Sequence, residues 1–134
     1  MEHGEVDSFL EEWHRIVREQ DAAAIVEILA DDVSIGAPPY WNRLEGKELV
    51  AFLLGLILET IEDFTYHRQW RSGRELALEF IGQVDGQNLQ GIDLITVNED
   101  GLLCAIDVPM RPINTVEHLR DVIGPRMQDY IASL

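Results

Sequence analysis

The chain has 134 residues, 46% of them hydrophobic, with 10 Lys+Arg against 25 Asp+Glu and a formal net charge of −15. That is enough apolar material for a real core, and a single domain over residues 1–134 is the expectation. The acidic balance argues against partners such as nucleic-acid backbone or anionic membrane, whose affinity comes from cationic side chains.

One cysteine, Cys104, leaves no intramolecular disulfide to form and points to a reducing, cytoplasmic compartment. The opening "MEHGEVDSF" is acidic and lacks the apolar stretch of a signal peptide. The most apolar run, "AFLLGLIL" at 51–58, is far short of the roughly 20 residues a membrane helix needs.

The first predicted element is a helix, "VDSFLEEWHRIVRE". Val6, Phe9, Leu10, Trp13, Ile16 and Val17 fall on one stripe. Asp21 is placed to cap a second helix, "AAAIVEILA". "DDVSIGAPPYWNR" reads as a short strand and a Pro-rich loop. "GKELVAFLLGLILETI" is a third helix with two apolar faces, Leu49, Leu53, Leu56 and Ile57 on one and Val50, Leu54, Leu58 and Ile61 on the other. Such a helix is enclosed on several sides.

Strands then follow at 64–70, 75–84, 88–97 and 102–110, with hairpin turns at Asp85-Gly86 and before Gly101. "NTVEHLRDVIG" is a closing helix capped by Asn114 or Thr115. Gly124-Pro125 interrupts it, and "RMQDYIASL" adds a turn or two. Helices segregated from a meandering antiparallel sheet make an α+β fold.

The last two strands have no polar face. Asp93 shares a side with Gly91, Ile95 and Val97, while Ile92 and Leu94 take the other. A strand apolar on both sides is covered on both. Helices cover one side, and a second copy of the chain is the economical cover for the other. The expectation is a homodimer through the outer face of the sheet. Asp93 is then buried whichever way it points. It is either a structural carboxylate held by an arginine or backbone amides, or a group placed for chemistry.

Four segments carry a resemblance. "ILADDVSIGAPP", "LEGKELVAFL", "GIDLITVNEDGLL" and the closing "IDVPMRPINTVEHLRDVIGPRM" together resemble the nuclear transport factor 2-like superfamily. That superfamily includes ketosteroid isomerases, SnoaL-like polyketide cyclases and limonene-epoxide hydrolases. The closing segment is similar to an uncharacterised bacterial subgroup. The resemblance covers nearly the whole chain. It implies a cone: a strongly bent antiparallel sheet packed against three N-terminal helices plus a C-terminal helix, a cystatin-like α+β barrel around an apolar cavity open at one end. The fold hosts many chemistries, so it does not by itself assign one.

The resemblance also assigns expectations to residues. Asp93 stands eight residues before Gly101, the position of the isomerases' oxyanion-hole acid. There an apolar site keeps the acid protonated so that it donates to a developing enolate. Trp13 falls where isomerases carry a helix-borne tyrosine. Its indole N–H is a donor only, and a large core aromatic is the plainer reading. Ala37, in "Gly36-Ala37-Pro38", replaces the isomerases' catalytic aspartate, so steroid-type proton transfer lacks its usual base. The hydrolase pattern is not met either. Asp107 is one residue out of step with that family's last-strand acid, which turns it to the opposite face.

Among remaining candidates, His67 is the better placed base, on a strand that could face the cone, and Glu79 is an acid in an otherwise apolar strand. Ile95, Ile106, Val108 and Met110 are expected to line the cavity. Tyr40 and Trp41 follow two prolines near its mouth, either to cap an apolar ligand or to pack on the third helix. His3, His14, His67 and His118 show no metal-binding spacing, and neither a metal nor a cofactor is expected. Two functions stand. One is a small isomerase, cyclase or lyase acting on a carbonyl compound with Asp93 as acid or oxyanion donor. The other is a non-catalytic module that binds an apolar small molecule or only dimerises. A protein-partner adaptor is a third.

Overall fold

A computed structural model describes residues 4–38 and 40–134. His3 lies outside them, as does Pro39. Helix α1 (Gly4–Glu19) buries Val6, Phe9, Trp13 and Ile16, the stripe expected from the apolar spacing. The second helix is shorter and tighter than expected. Ala22–Ile28 form a 3-10 turn, Asp21 makes no side-chain cap, and Leu29 and Ala30 already belong to strand β1 (Leu29–Gly36). A two-residue strand β2 (Leu44–Glu45) precedes α2 (Lys47–Thr60). Both faces of α2 are buried, including Val50, Leu53, Leu54 and Ile57.

Three long antiparallel strands follow: β3 (Glu62–Ser72), β4 (Glu75–Val84) and β5 (Gln87–Val97). The β4–β5 turn is Asp85-Gly86, with φ of 48° and 80°. Two left-handed residues in a two-residue hairpin make a type I′ turn, whose twist matches that of the strands. At the next turn the Asn98 side chain accepts from the backbone N–H groups of Asp100 and Leu102 at 2.9 and 3.0 Å. Gly101 (φ 81°) closes it into β6 (Leu103–Asp107). A short β7 (Met110–Arg111) leads to α3 (Ile113–Ala132).

The strands run β2-β1-β6-β5-β4-β3, with β7 also on β5, and β1 lies parallel to β6. The sheet is strongly curved and does not close, giving the expected cystatin-like α+β cone, open along one side. The helices pack on its inner face. None of them is long and apolar enough to cross a membrane.

Helix α3 corrects the expected ending. Its N-cap is Pro112, Thr115 is buried inside the helix, and the helix runs without a break through Pro125. Pro125 removes one backbone donor. It lies on the exposed side, where water can serve the freed carbonyl. On the other side Leu119, Ile123 and Met127 are buried and hold the helix down.

Register sets a close approach near the middle of the sheet. Gly91 pairs with Phe80. A Cβ on Gly91 would fall on the Phe80 ring and on Met110. The missing side chain therefore makes room for Phe80, which stacks on Phe64 with centroids 4.5 Å apart. Gly91→Ala is expected to lower stability by about 1–3 kcal/mol through overpacking, read as a fall in the urea midpoint with an unchanged slope.

Candidate functional site: a buried carboxyl beneath an apolar groove

Strand alternation sends Leu89, Gly91, Asp93, Ile95 and Val97 to the inner face and leaves Ile92, Leu94 and Thr96 outside. Asp93 is 5% exposed. It is not held by an arginine. Its Oδ2 accepts from the Tyr66 hydroxyl at 2.5 Å, and the Tyr66 oxygen accepts from Trp13 Nε1 at 2.8 Å. The three residues come from β5, β3 and α1, so the chain ties the first helix to the bent sheet.

Electrostatics follow from burial. Loss of water pushes the Asp93 pKa up to about 7 from 3.8, with the Tyr66 hydrogen bond pulling the other way. Burial first, then the neighbouring Asp93, push the Tyr66 hydroxyl well above its ordinary value. Near neutral pH the pair therefore includes a carboxyl that can be protonated and donate. Among the described residues no hydrogen bond engages its second oxygen. Trp13, Tyr66 and Asp93 share the wall of a small cavity with Phe80 and Val108. Its volume is about 30 Å³, room for a water or two and no more.

A second, larger space lies beside it. Helices α2 and α3, residues 37–38 and 40–43, and β7 enclose an open groove of about 460 Å³. That is the size of a small-molecule site. Its floor is aliphatic, with Leu53, Ile57, Leu119 and Ile123 among the lining residues. Ile57 belongs to the walls of both spaces and is the partition between groove and buried acid.

The expected site residues divide among these places. Trp13 and Val108 reach the inner cavity beside Asp93. Met110, Tyr40 and Trp41 border the groove, the last two being 68% and 96% exposed rather than packed on α2. Ala37 borders it too. Ile95 and Ile106 do not line either space: at 1% and 0% exposure they are sealed in the core.

His67 and Glu79 are also corrected, since neither faces the cone. Glu79 pairs with Ile92, on the outer side of the sheet. A bulge in β3 sets both His67 and Arg68 against it. Arg68 grips the carboxylate through Nε at 2.8 Å and Nη2 at 2.7 Å, and His67 also contacts it. Arg68 first, and His67 second, hold the Glu79 pKa down at about 2. This is an ion-pair cluster on the outer face, away from Asp93.

Tyr66 is the residue that sequence reasoning missed. Its signal was the alternation Phe64–Tyr66, which puts both on one face of β3. The α3 wall of the groove was also missed, because a helix thought to break at Gly124 offers no continuous surface.

Asp93 makes stability depend on pH. The folded chain keeps a proton on this group between pH 3.8 and about 7 that the unfolded chain has released. The contribution is therefore complete below about pH 4 and is lost as pH rises through about 7. Its full size is roughly 4 kcal/mol at most. Urea midpoints for the wild type should fall between about pH 4 and about pH 8, and Asp93→Asn should flatten that slope.

The SnoaL-like domain family matches residues 10–106. The fold is similar to that of a steroid delta-isomerase from Pseudomonas aeruginosa, 31% identical, with a TM-score of 0.91 over 98% of this chain and 97% of that one. It is also similar to an uncharacterized bacterial protein with a cystatin-like fold from Silicibacter pomeroyi, 36% identical, TM-score 0.83, covering 88% of this chain and 84% of that one. A de novo designed protein with a curved β-sheet, 18% identical, shares the fold alone, with a TM-score of 0.71 over 91% of this chain and 99% of that one. No curated protein sequence matches the chain. With most of its length matched by the family and by a close structural relative, the chain belongs to the SnoaL-like domain family of the nuclear transport factor 2-like superfamily.

Proposed function

We propose that the protein binds an apolar small molecule bearing a carbonyl or phenolic oxygen, taken up in the groove and directed past Ile57 toward Asp93. The observation that carries this reading is the chain Trp13 to Tyr66 to Asp93, which ends on a carboxyl that burial keeps neutral up to about pH 7. A protonated Asp93 donates to the ligand oxygen in a dry site, where one hydrogen bond counts for more than in water. Among the described residues, the walls of the groove and inner cavity hold no Asp, Glu or His besides Asp93. Recognition of an oxygen therefore has better support than a mechanism that needs a separate base.

The test is a titration with planar phenols of graded acidity against wild type and Asp93→Asn. Affinity should rise with phenol acidity in the wild type and lose that dependence in the variant. Equal binding to both proteins would leave Asp93 without a role in recognition.

One observation favours a second, catalytic reading. A carboxyl titrating near 7 is matched to proton transfer at neutral pH, and the P. aeruginosa relative is a steroid delta-isomerase. With Ile57 turned aside so that the groove opens onto the inner cavity, Asp93 would then take a proton from one carbon of a β,γ-unsaturated ketone and return it to another. The readout is growth of conjugated-enone absorbance, which should vanish in Asp93→Asn.

Assembly as a homodimer through the outer sheet face belongs to the same proposal. Trp70, Ala77 and Leu94 form one row across β3, β4 and β5. Trp70 and Leu94 are 48% and 42% exposed, as is Ile81 at 43%. A second copy would cover this row. A reducing cytoplasm, suggested by the lone cysteine, is the location proposed for it. Sedimentation should give a dimer at micromolar concentration and a monomer for Leu94→Lys. A wild-type monomer would refute this arrangement.

A further inference from the structure

The groove has an unexpected charge. The chain carries 25 Asp+Glu and 10 Lys+Arg. Yet among the described residues no carboxylate borders the groove, while Arg43 and Arg120 both do. In a protein this acidic, a rim that presents arginines and keeps their carboxylate partners off the lining needs a reason.

The two arginines are not equivalent. Arg43 is fully committed. Its Nη1 binds Asp107 Oδ1 at 2.5 Å, its Nε binds Ser34 Oγ at 2.9 Å, and its Nη2 meets the Ser34 and Ile106 carbonyls at 3.3 and 3.2 Å. It ties the loop to β1 and β6. Arg120 has a weaker hold. Its Nε and Nη2 share one oxygen of the adjacent Asp121, at 3.2 and 3.1 Å, and Nη1 has no partner among the described residues. The Asp121 side chain is 67% exposed. Such a pair contributes little and yields readily to a better acceptor.

Helix geometry adds a cradle. Arg120, Gly124 and Gln128 lie at successive i, i+4 positions and all three border the groove. A Cβ on Gly124 would meet nothing within 4 Å. The polar stripe therefore has a gap between a guanidinium and an amide, both of them hydrogen-bond donors. Beside it on the same helix, Ile123 and Met127 turn toward the aliphatic floor.

We infer that the ligand of this groove is an amphipathic acid, an apolar body with an anionic head. The head lies over Gly124, where it accepts from Arg120 and Gln128. The apolar body lies along Leu119, Ile123 and Leu53 toward Ile57. A carboxylate matches the planar fork of Arg120 and replaces Asp121 there. This deepens the reading of the groove as the ligand's entry site and rests on it.

The experiment uses ligands with equal tails and different heads. Decanoate, decanol and decyltrimethylammonium are titrated against the full chain, followed by tryptophan fluorescence, since Trp41 borders the groove. Decanoate should bind about tenfold or more tighter than decanol, the size of one charge-assisted interaction. Arg120→Gln should bring the decanoate-to-decanol affinity ratio down to about one. Arg126→Gln makes the same change in net charge on α3, at a residue paired with Glu59 and away from the groove lining. It should preserve the preference. Decanol binding as tightly as decanoate, or loss of the preference in both variants, would overturn the anionic head while keeping the groove as a ligand site. Failure of both ligands to bind would overturn the groove reading itself.

Discussion

A carboxyl group buried among aliphatic and aromatic side chains must find partners or give up its charge. Asp93 does both, and much of the architecture is arranged around it. Tyr66 supplies the hydroxyl and Trp13 fixes the tyrosine oxygen. The result is a polar line running from α1 through β3 to β5 inside an apolar core. Trp13 and Tyr66 each find a partner in the next member, and Asp93 at the end is eased by protonation, which is why the line can be buried at tolerable cost.

The curvature of the sheet makes room for that line and for the space beside it. Gly91 lets the Phe80 ring lie over β5. The bulge in β3 turns His67 and Arg68 outward onto Glu79 while Tyr66 stays inside. One irregularity thus separates two acids of opposite character. Glu79 is outside and ionised beneath an arginine; Asp93 is inside and held toward its neutral form. Aliphatic side chains close most of the cone over Asp93. The larger space is displaced toward α3, behind the Ile57 partition.

Much of this was legible in the residues. The stripe of α1, the two-faced burial of α2 and the Asp85-Gly86 hairpin follow from local periodicity and turn chemistry. The inward side of Asp93 does not, because its strand is apolar on both sides; only the resemblance, through the eight-residue count to Gly101, pointed it inward. His67 and Glu79 were harder. A bulge shifts the facing of every residue on one side of it, and no local signal in "FTYHRQW" announces one. Ile95 and Ile106 were correctly apolar, but apolar residues line cavities and fill cores alike. Helix α3 was misread at Gly124-Pro125 because local propensity argues for a break there. The packing of Leu119, Ile123 and Met127 overrides it.

By itself, the sequence determined the α+β class, the order of elements, and the burial of one carboxylate eight residues before a turn glycine. These depend on contacts between near neighbours, which periodicity encodes. Only the tertiary structure decided that Tyr66, rather than an arginine, holds Asp93, that Glu79 faces outward, and that α3 lines a groove free of carboxylates. Those outcomes depend on which distant segments meet. That is set by strand register and by how a curved sheet packs against its helices, two quantities that no single stretch of residues contains.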